Sequence, residues 1–413
     1  MEFTYKSRIV FLLGAGVSIP AQMPSTGSIT ETVLSGEGIC RDSDGEYRFI
    51  DKDQAAAYSR NSEYHIRHNL NYLYVLFGEI KDYIKGRFPN YEDLFYMASQ
   101  IRDNLSGNYD NPAVRPLIDK IFNKPEIKNR IMETIGRGVW NPRDFEGELL
   151  NYTEEVTNYI HDIALNSLNK EPCRLDHLNS IMAACRNDRI SYVDIFTLNH
   201  DLVLESCLHN EDVGFTDGFS KPKGEPGSQL RYWNPNEYSM ESIKVRVFKL
   251  HGSVNWRRIG IPNGDWRYDR IVIPWKADIA RIKDSEGREL LPSRHLILLG
   301  TFNKMLEYTS GVYTHMYCQL HTSLNKSDSV VISGYSFGDK GINARIIDWL
   351  CDPRTKGPQI VVIDVKSEKE IKQAARRAIA MKWDGLKEKR ILHFLRKPIE
   401  ETHWQEIDER LGR

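Results

Sequence analysis

The apolar run Ile9-Val10-Phe11-Leu12-Leu13 breaks without transition into Gly14-Ala15-Gly16, followed by Val17 and Ser18. Five apolar residues with no polar interruption suit a strand covered on both faces, and a glycine turn after it lets the main chain come close to another group such as a phosphate. A dinucleotide-binding fingerprint would put its third glycine at position 19, where this chain has Ile19. The turn by itself is therefore equally well read as a tight connection.

Five further runs follow the same rule, each of strand length and each ending in a polar or glycine-rich cluster. Residues 192–196 lead into Thr197-Leu198-Asn199-His200-Asp201, 245–250 into His251-Gly252-Ser253, and 296–299 into Gly300-Thr301. Residues 330–332 lead into Ser333-Gly334-Tyr335-Ser336, and 360–363 into Asp364. Near-continuous Val/Ile/Leu character predicts parallel strands, and the clusters are expected together along the carboxyl edge of one sheet, where such folds bind ligands.

Between the first run and the second, residues 36–187 show no such pattern. Segments 69–84, 91–103, 114–122 and 145–168 carry apolar residues at three- and four-residue spacing, which predicts a helical insertion subdomain. Residues 1–35 and 188–375 then form the α/β domain. Within it, 212–241 reads as loop with its tip at 221–227, and 257–294 as irregular with one hairpin around 262–265. A C-terminal segment, 376–413, is set apart as a candidate assembly or partner contact. Residues 366–390 hold nine Lys/Arg against four Asp/Glu, a balance read first as a solvated helix face and second as a docking surface for an acidic partner.

With 413 residues, 40% of them hydrophobic, and a formal net charge of -1, the chain can bury a core and has no global pull toward nucleic acid or membrane. Its six cysteines include no Cys-x-x-Cys, which predicts reduced thiols and no zinc ribbon. No run reaches the ~18 apolar residues of a membrane span and no secretory leader is evident, so the cytoplasm is the expected location.

In this order, Gly14-Ala15-Gly16-Val17-Ser18, Thr197-x-Asn199-x-Asp201, Leu250-His251-Gly252 and Gly334-x-Ser336 resemble the NAD-binding and catalytic signature of the sirtuin family. The Leu-His-Gly-Ser-x-Asn-Trp form at 250–256 and Gly-Tyr-Ser-Phe at 334–337 are similar to bacterial sirtuin-like proteins of anti-phage defence. The resemblance implies an α/β fold, a sirtuin-like Rossmann sheet with a large helical insertion, and an NAD hydrolase that takes NAD as its substrate. It also implies a homo-oligomer and a HerA-type ATPase partner, through which nucleic acid could be met. About fifty residues follow Asp364, and the activating trigger is expected from outside the chain.

Two departures separate the chain from the protein deacylases of that family. Where those carry Gly-Ile-Pro-Asp-Phe-Arg, this chain reads Gln22-Met23-Pro24-Ser25-Thr26-Gly27, and no cysteine lies between His251 and Cys318 to build their zinc module. Neither zinc nor deacylation is expected.

Cleaving a nicotinamide glycosidic bond develops positive charge on the ribose, which calls for groups that hold its hydroxyls and for a nearby base. Asn199 is assigned to orienting ribose and water, His251 to general base, and Asp201 to supporting them. Gly14, Ala15, Gly16, Ser18, Thr197, Gly334 and Ser336 are assigned to the phosphates and ribose, and Asp364 to the adenosine ribose. Each has a plainer reading: helix cap for Ser18 and Asn199, loop for His251, strand terminator for Asp364. Two other functions compete, a nuclease or DNA-processing subunit and a non-catalytic NAD or ADP-ribose sensor.

Overall fold

The computed structural model describes residues 7–50, 60–84, 86–108, 111–135, 142–222, 228–261, 264–265, 267, 269–274, 283–291, 294–300, 304, 307–309 and 311–413. Most of the expected loop tip (223–227), the turn residues 262–263 and Thr301 lie outside them. The chain divides into two compact units, one of Met1–Met23, Asn169–Leu298 and Lys304–Arg413, the other of Pro24–Leu168 with Leu299–Asn303.

The first unit is built on seven parallel strands: β1 (Arg8–Leu13), β2 (Tyr192–Thr197), β3 (Phe215–Thr216), β4 (Val245–Lys249), β5 (Ser329–Ser333), β6 (Gln359–Asp364) and β7 (Leu392–Arg396). Their order across the sheet is β7-β6-β5-β1-β2-β4-β3. The chain leaves β1 toward β2 on one side and returns to β5 on the other, so the order reverses at β1, the place where such sheets open a crevice. Register aligns the strand ends there: Leu13 lies opposite both Ser333 and Thr197, and Thr197 opposite Lys249. The loops that start at Gly14, Leu198, Leu250 and Gly334 therefore leave from one edge.

Alternation along the strands sorts side chains to two cores. Val10, Leu12, Phe196, Phe248, Val330 and Ile332 face helices Gly311–Asn325 and Lys340–Cys351, whose Met316, Leu320, Ile346 and Trp349 cover them. Ile9, Phe11, Leu13, Ile195, Val247 and Val361 face helices Asn179–Arg186, Val203–Asn210 and Trp404–Arg410 through Ile181, Cys207 and Ile407. Coverage of both faces is why these strands read as continuous apolar runs.

Four expectations change. Residues 296–299 are not a sheet strand: Ile297 forms one isolated bridge to Gly252, which serves the His251 loop instead. Residues 212–241 and 257–294 are not merely loop, since Phe219–Ser220, Leu230–Trp233, Arg257–Gly260, Arg270–Pro274 and Glu289–Leu290 form a second, antiparallel sheet. Strands of two to five residues with polar outer faces leave too short a pattern to read. The segment 376–413 is not set apart, because β7 pairs with β6 from Ile360↔Leu392 to Asp364↔Arg396, and Ile407 and Leu411 enter the core.

The fourth change concerns the insertion, expected over 36–187. Its compact unit begins at Pro24 because helix Thr26–Ser35 is tied to it: the Tyr159 hydroxyl donates to the Val33 carbonyl at 3.1 Å and the Tyr91 amide to Thr30 Oγ1 at 3.0 Å. It ends at Leu168 because Leu178, Ile181 and Met182 pack on the parallel sheet. Helices Arg60–Ile80, Tyr91–Leu105, Arg115–Phe122, Pro125–Ile135 and Pro142–Leu168 make up the rest, with a short ribbon of Ile39–Arg41 and Tyr47–Phe49. Asn90 and Asp93 close a reciprocal cap at the start of the second of these helices. Among the described residues no helix is long and apolar enough to cross a membrane.

Candidate functional site

The β1 turn and the β5 turn meet backbone to backbone. The Gly14 amide donates to the Ser333 carbonyl at 2.9 Å, and the Gly16 amide to the Gly334 carbonyl at 3.1 Å. A Cβ on Gly16 would sit 2.6 Å from Gly334 Cα, and Gly334 itself has φ +62°, a conformation glycine adopts without strain. The glycines of both motifs are thus required first by each other. The amides of Gly14, Gly16 and Val17 bond within the protein, while Ala15 and Gly16 are exposed at the sheet edge.

From β2, Asn199 reaches across to this turn. Its side-chain amide donates to the Gly14 carbonyl at 3.0 Å and to Ser18 Oγ at 2.9 Å, and its own backbone amide donates to Thr197 Oγ1 at 3.1 Å. Both amide protons are committed, so the oxygen Oδ1 is the atom through which Asn199 can meet a hydroxyl donor. Ser18, Thr197 and Asn199 are buried. Asp201 accepts from the amide of Val203, the first residue of the following helix, at 3.0 Å, while its carbonyl receives the ammonium of Lys249. Lys249 is buried and ion-paired at 2.9 Å with Glu205, whose carboxyl burial pushes up against the pull of that same lysine.

From β4, His251 enters a cluster that the sequence motifs only half reveal. Its Nε2 lies 2.7 Å from the Tyr308 hydroxyl and 3.2 Å from Asp339 Oδ2, and the Tyr308 hydroxyl donates to that oxygen at 2.9 Å. All three are satisfied when Nε2–H donates to Tyr308 and the Tyr308 proton goes to Asp339, which assigns the imidazole proton to Nε2. Burial pushes the Asp339 carboxyl up, yet the His251 contact, the Ile342 amide and the charge of Lys304 hold it well below the usual carboxylate range. Burial holds the neighbouring His200 well below the usual histidine value, and the charges of His251, Lys304 and Lys249 add to this. The loop is fixed from below: Gly252 has φ +79° against the Leu296 carbonyl, and the His251 carbonyl accepts from the Leu298 amide at 2.8 Å.

The β5 loop carries backbone strain. Phe337 has φ +55°, unusual for an aromatic residue, and is held by packing against Trp383 at 5.5 Å and by two donors to its carbonyl, Asn343 Nδ2 at 2.7 Å and the Arg376 amide at 3.1 Å. Ser336, beside it, is exposed. Asp364 ends β6, where its Oδ1 accepts from the Lys366 amide at 2.8 Å and burial raises its carboxyl. Asn199, Ser18, Thr197, Gly14 and Gly334 are brought into one contiguous network. Asp201 faces its own helix, and Asp364 lies two strands away from β1.

Sequence reasoning assigned no role in the site to Tyr308 or Asp339. It also missed His177, whose buried Nε2 lies 2.9 Å from the Val17 carbonyl under the glycine turn. Among the described residues no group of three or more His, Cys, Asp or Glu is arranged to hold a metal ion.

Residues 193–384 match the family model of the SIR2-like domain. The matched stretch carries Thr197, Asn199, His251, Gly334 and Asp364, and begins after the β1 glycine turn. Among solved structures, the chain is similar to a Sir2 homologue in complex with NAD, at a TM-score of 0.35 and 11% identity over 98% of this chain and 89% of that one. It is likewise similar to a mutant Sir2 homologue in complex with ADP-ribose, at a TM-score of 0.32 and 11% identity over 98% and 91%. No curated protein matches the chain.

Proposed function

We propose that this chain is an NAD glycohydrolase, releasing nicotinamide and ADP-ribose, and that it serves as the effector of an anti-phage defence system. The observation that carries the reading is the meeting of Asn199, Ser18, Gly14 and Gly334 at the edge where the sheet order reverses, with the His251 loop leaving the same edge from β4. Asn199 Oδ1 accepts a ribose hydroxyl, His251 takes a proton from a ribose hydroxyl or from water, and the exposed turn at Ala15 and Gly16 with Ser336 borders the diphosphate. Asp364 receives the adenosine ribose. As the glycosidic bond breaks, its electron pair leaves with nicotinamide and water adds to the ribose carbon.

Family resemblance extends the proposal to a homo-oligomer, placed in the cytoplasm and restrained until a HerA-type ATPase engages it. The test is nicotinamide release from NAD by the full chain, alone and with that ATPase. His251→Ala and Asn199→Ala should abolish it, and cleavage of DNA without nicotinamide release would favour the nuclease reading instead. Binding of NAD with no release in either condition would favour a sensor.

A further inference from the structure

Asp339 has two oxygens with different tasks. Oδ1 accepts from the amides of Gly341 at 2.8 Å and Ile342 at 3.1 Å, which caps helix Lys340–Cys351, while Oδ2 faces His251 Nε2 and the Tyr308 hydroxyl. A cap needs only the first oxygen. The second is drawn into a buried cluster: the side chains of His251 and Asp339 are 5% and 8% exposed. The Tyr335 hydroxyl further fixes the loop, receiving the Asp339 amide at 3.2 Å and lying 2.9 Å from Asn343 Oδ1.

We infer that Asp339 is the positioning residue for His251: it orients the imidazole through Oδ2, directly and through Tyr308, and stabilises the imidazolium that forms when His251 takes a proton. The effect on catalysis rests on the NAD-cleaving reading above. There, the O–H bond of a substrate hydroxyl breaks, an N–H bond forms on His251, and the carboxylate of Asp339 balances the new positive charge in a site where water is scarce. Other groups whose charge or polarity bears on this cluster are Tyr308 with Tyr317 and Tyr335 beside it, His200 with its ring centroid 6.1 Å from that of His251, Lys304, and Lys249 through His200. Asp339 Oδ2 lies within hydrogen-bond distance of the ring that would carry the new charge.

The experiment separates the two tasks of one side chain. Asp339→Asn keeps the size and a capping oxygen but loses the charge, and Asp339→Ser keeps a capping hydroxyl too short to reach His251. Both keep a cap on the helix, and both should lose about 10–100-fold in kcat for NAD with KM nearly unchanged and shift the acidic limb of the rate profile to lower pH. In NAD-free full chain, NMR of the His251 ring should show its titration moved to lower pH in Asp339→Asn. Wild-type kcat and an unmoved His251 titration in a stably folded Asp339→Asn would reduce Asp339 to a cap and overturn the inference. If no form of the protein releases nicotinamide while the His251 titration moves as expected, the positioning role stands and the NAD-cleaving reading falls.

Discussion

Gly14 and Gly334 touch through their backbones: a Cβ built on Gly14 would lie 2.4 Å from the Gly334 carbonyl oxygen. The two residues are 320 positions apart in the chain, which is 334 minus 14, yet each removes the other's tolerance for a side chain. Gly14→Ala must push the β5 loop away, and Gly334→Ala adds the strain of φ +62° to a 2.6 Å contact with the Val17 amide nitrogen. Gly334→Ala should cost about 2–4 kcal/mol, the sum of overpacking and left-handed strain, and Gly14→Ala about 1–3 kcal/mol from overpacking alone. Urea unfolding checks this, and wild-type stability in Gly334→Ala would show that the two turns do not meet as described.

Asn199 and His251 each join a structural tie to a proposed chemical role. Asn199→Ala leaves the Gly14 carbonyl and Ser18 hydroxyl without their donor in a buried place, a loss of about 1–3 kcal/mol, and His251→Ala takes a buried partner from Tyr308 and Asp339. Both are expected to lower nicotinamide release by at least about 10²-fold. Thermal unfolding alongside the rates measures both losses, and an Asn199→Ala protein as stable as wild type would remove the latch role.

The central strands were legible because burial on both faces leaves nothing but Val, Ile, Leu and Phe in β1, β5 and β6 away from their ends. Edge strands were not: β3 has two residues, and β7 mixes Leu392, Phe394 and Leu395 with His393 and Arg396 without a continuous apolar run. The run 296–299 misled because apolar residues that pack beneath a glycine loop look the same in sequence as those that pair in a sheet. In the site, motif residues that follow a strand were readable, since the strand end fixes their place. Tyr308 and Asp339 reach His251 from 57 and 88 positions away, and only the three-dimensional fold brings them there.

Cysteine reactivity offers a check on burial without any assay of function. Burial pushes the thiols of Cys185 and Cys207 up to about 12, and Cys40 is also buried, while Cys173, Cys318 and Cys351 are exposed. The thiolate is the reactive form, so a maleimide at neutral pH should label the three exposed cysteines quickly and the three buried ones only after unfolding. Mass spectrometry counts the adducts. Rapid labelling of Cys185 or Cys207 in the native protein would contradict the packing of helices Asn179–Arg186 and Val203–Asn210 on the sheet.

The buried Lys249 pairs with the largely buried Glu205 beneath the Asn199 loop. Lys249 also donates to the Asp201 carbonyl, so Lys249→Met removes both a tie to that loop and the counter-charge of Glu205. An uncompensated buried carboxylate costs about 3–5 kcal/mol. Burial already raises the Glu205 carboxyl in the folded state, and loss of the lysine raises it further. A folded-state value above the unfolded one favours the fold below the ordinary carboxylate range and loses that support as pH rises through the raised value. The stability deficit of Lys249→Met should therefore be large at pH 8 and shrink toward pH 5, as Glu205 takes up a proton. Adding Glu205→Gln should recover much of it at pH 8, because the amide needs no counter-charge. Urea unfolding of the single and double variants at the two pH values decides the matter: a deficit independent of pH, or no recovery in the double variant, would mean that Lys249 acts through packing and not through charge.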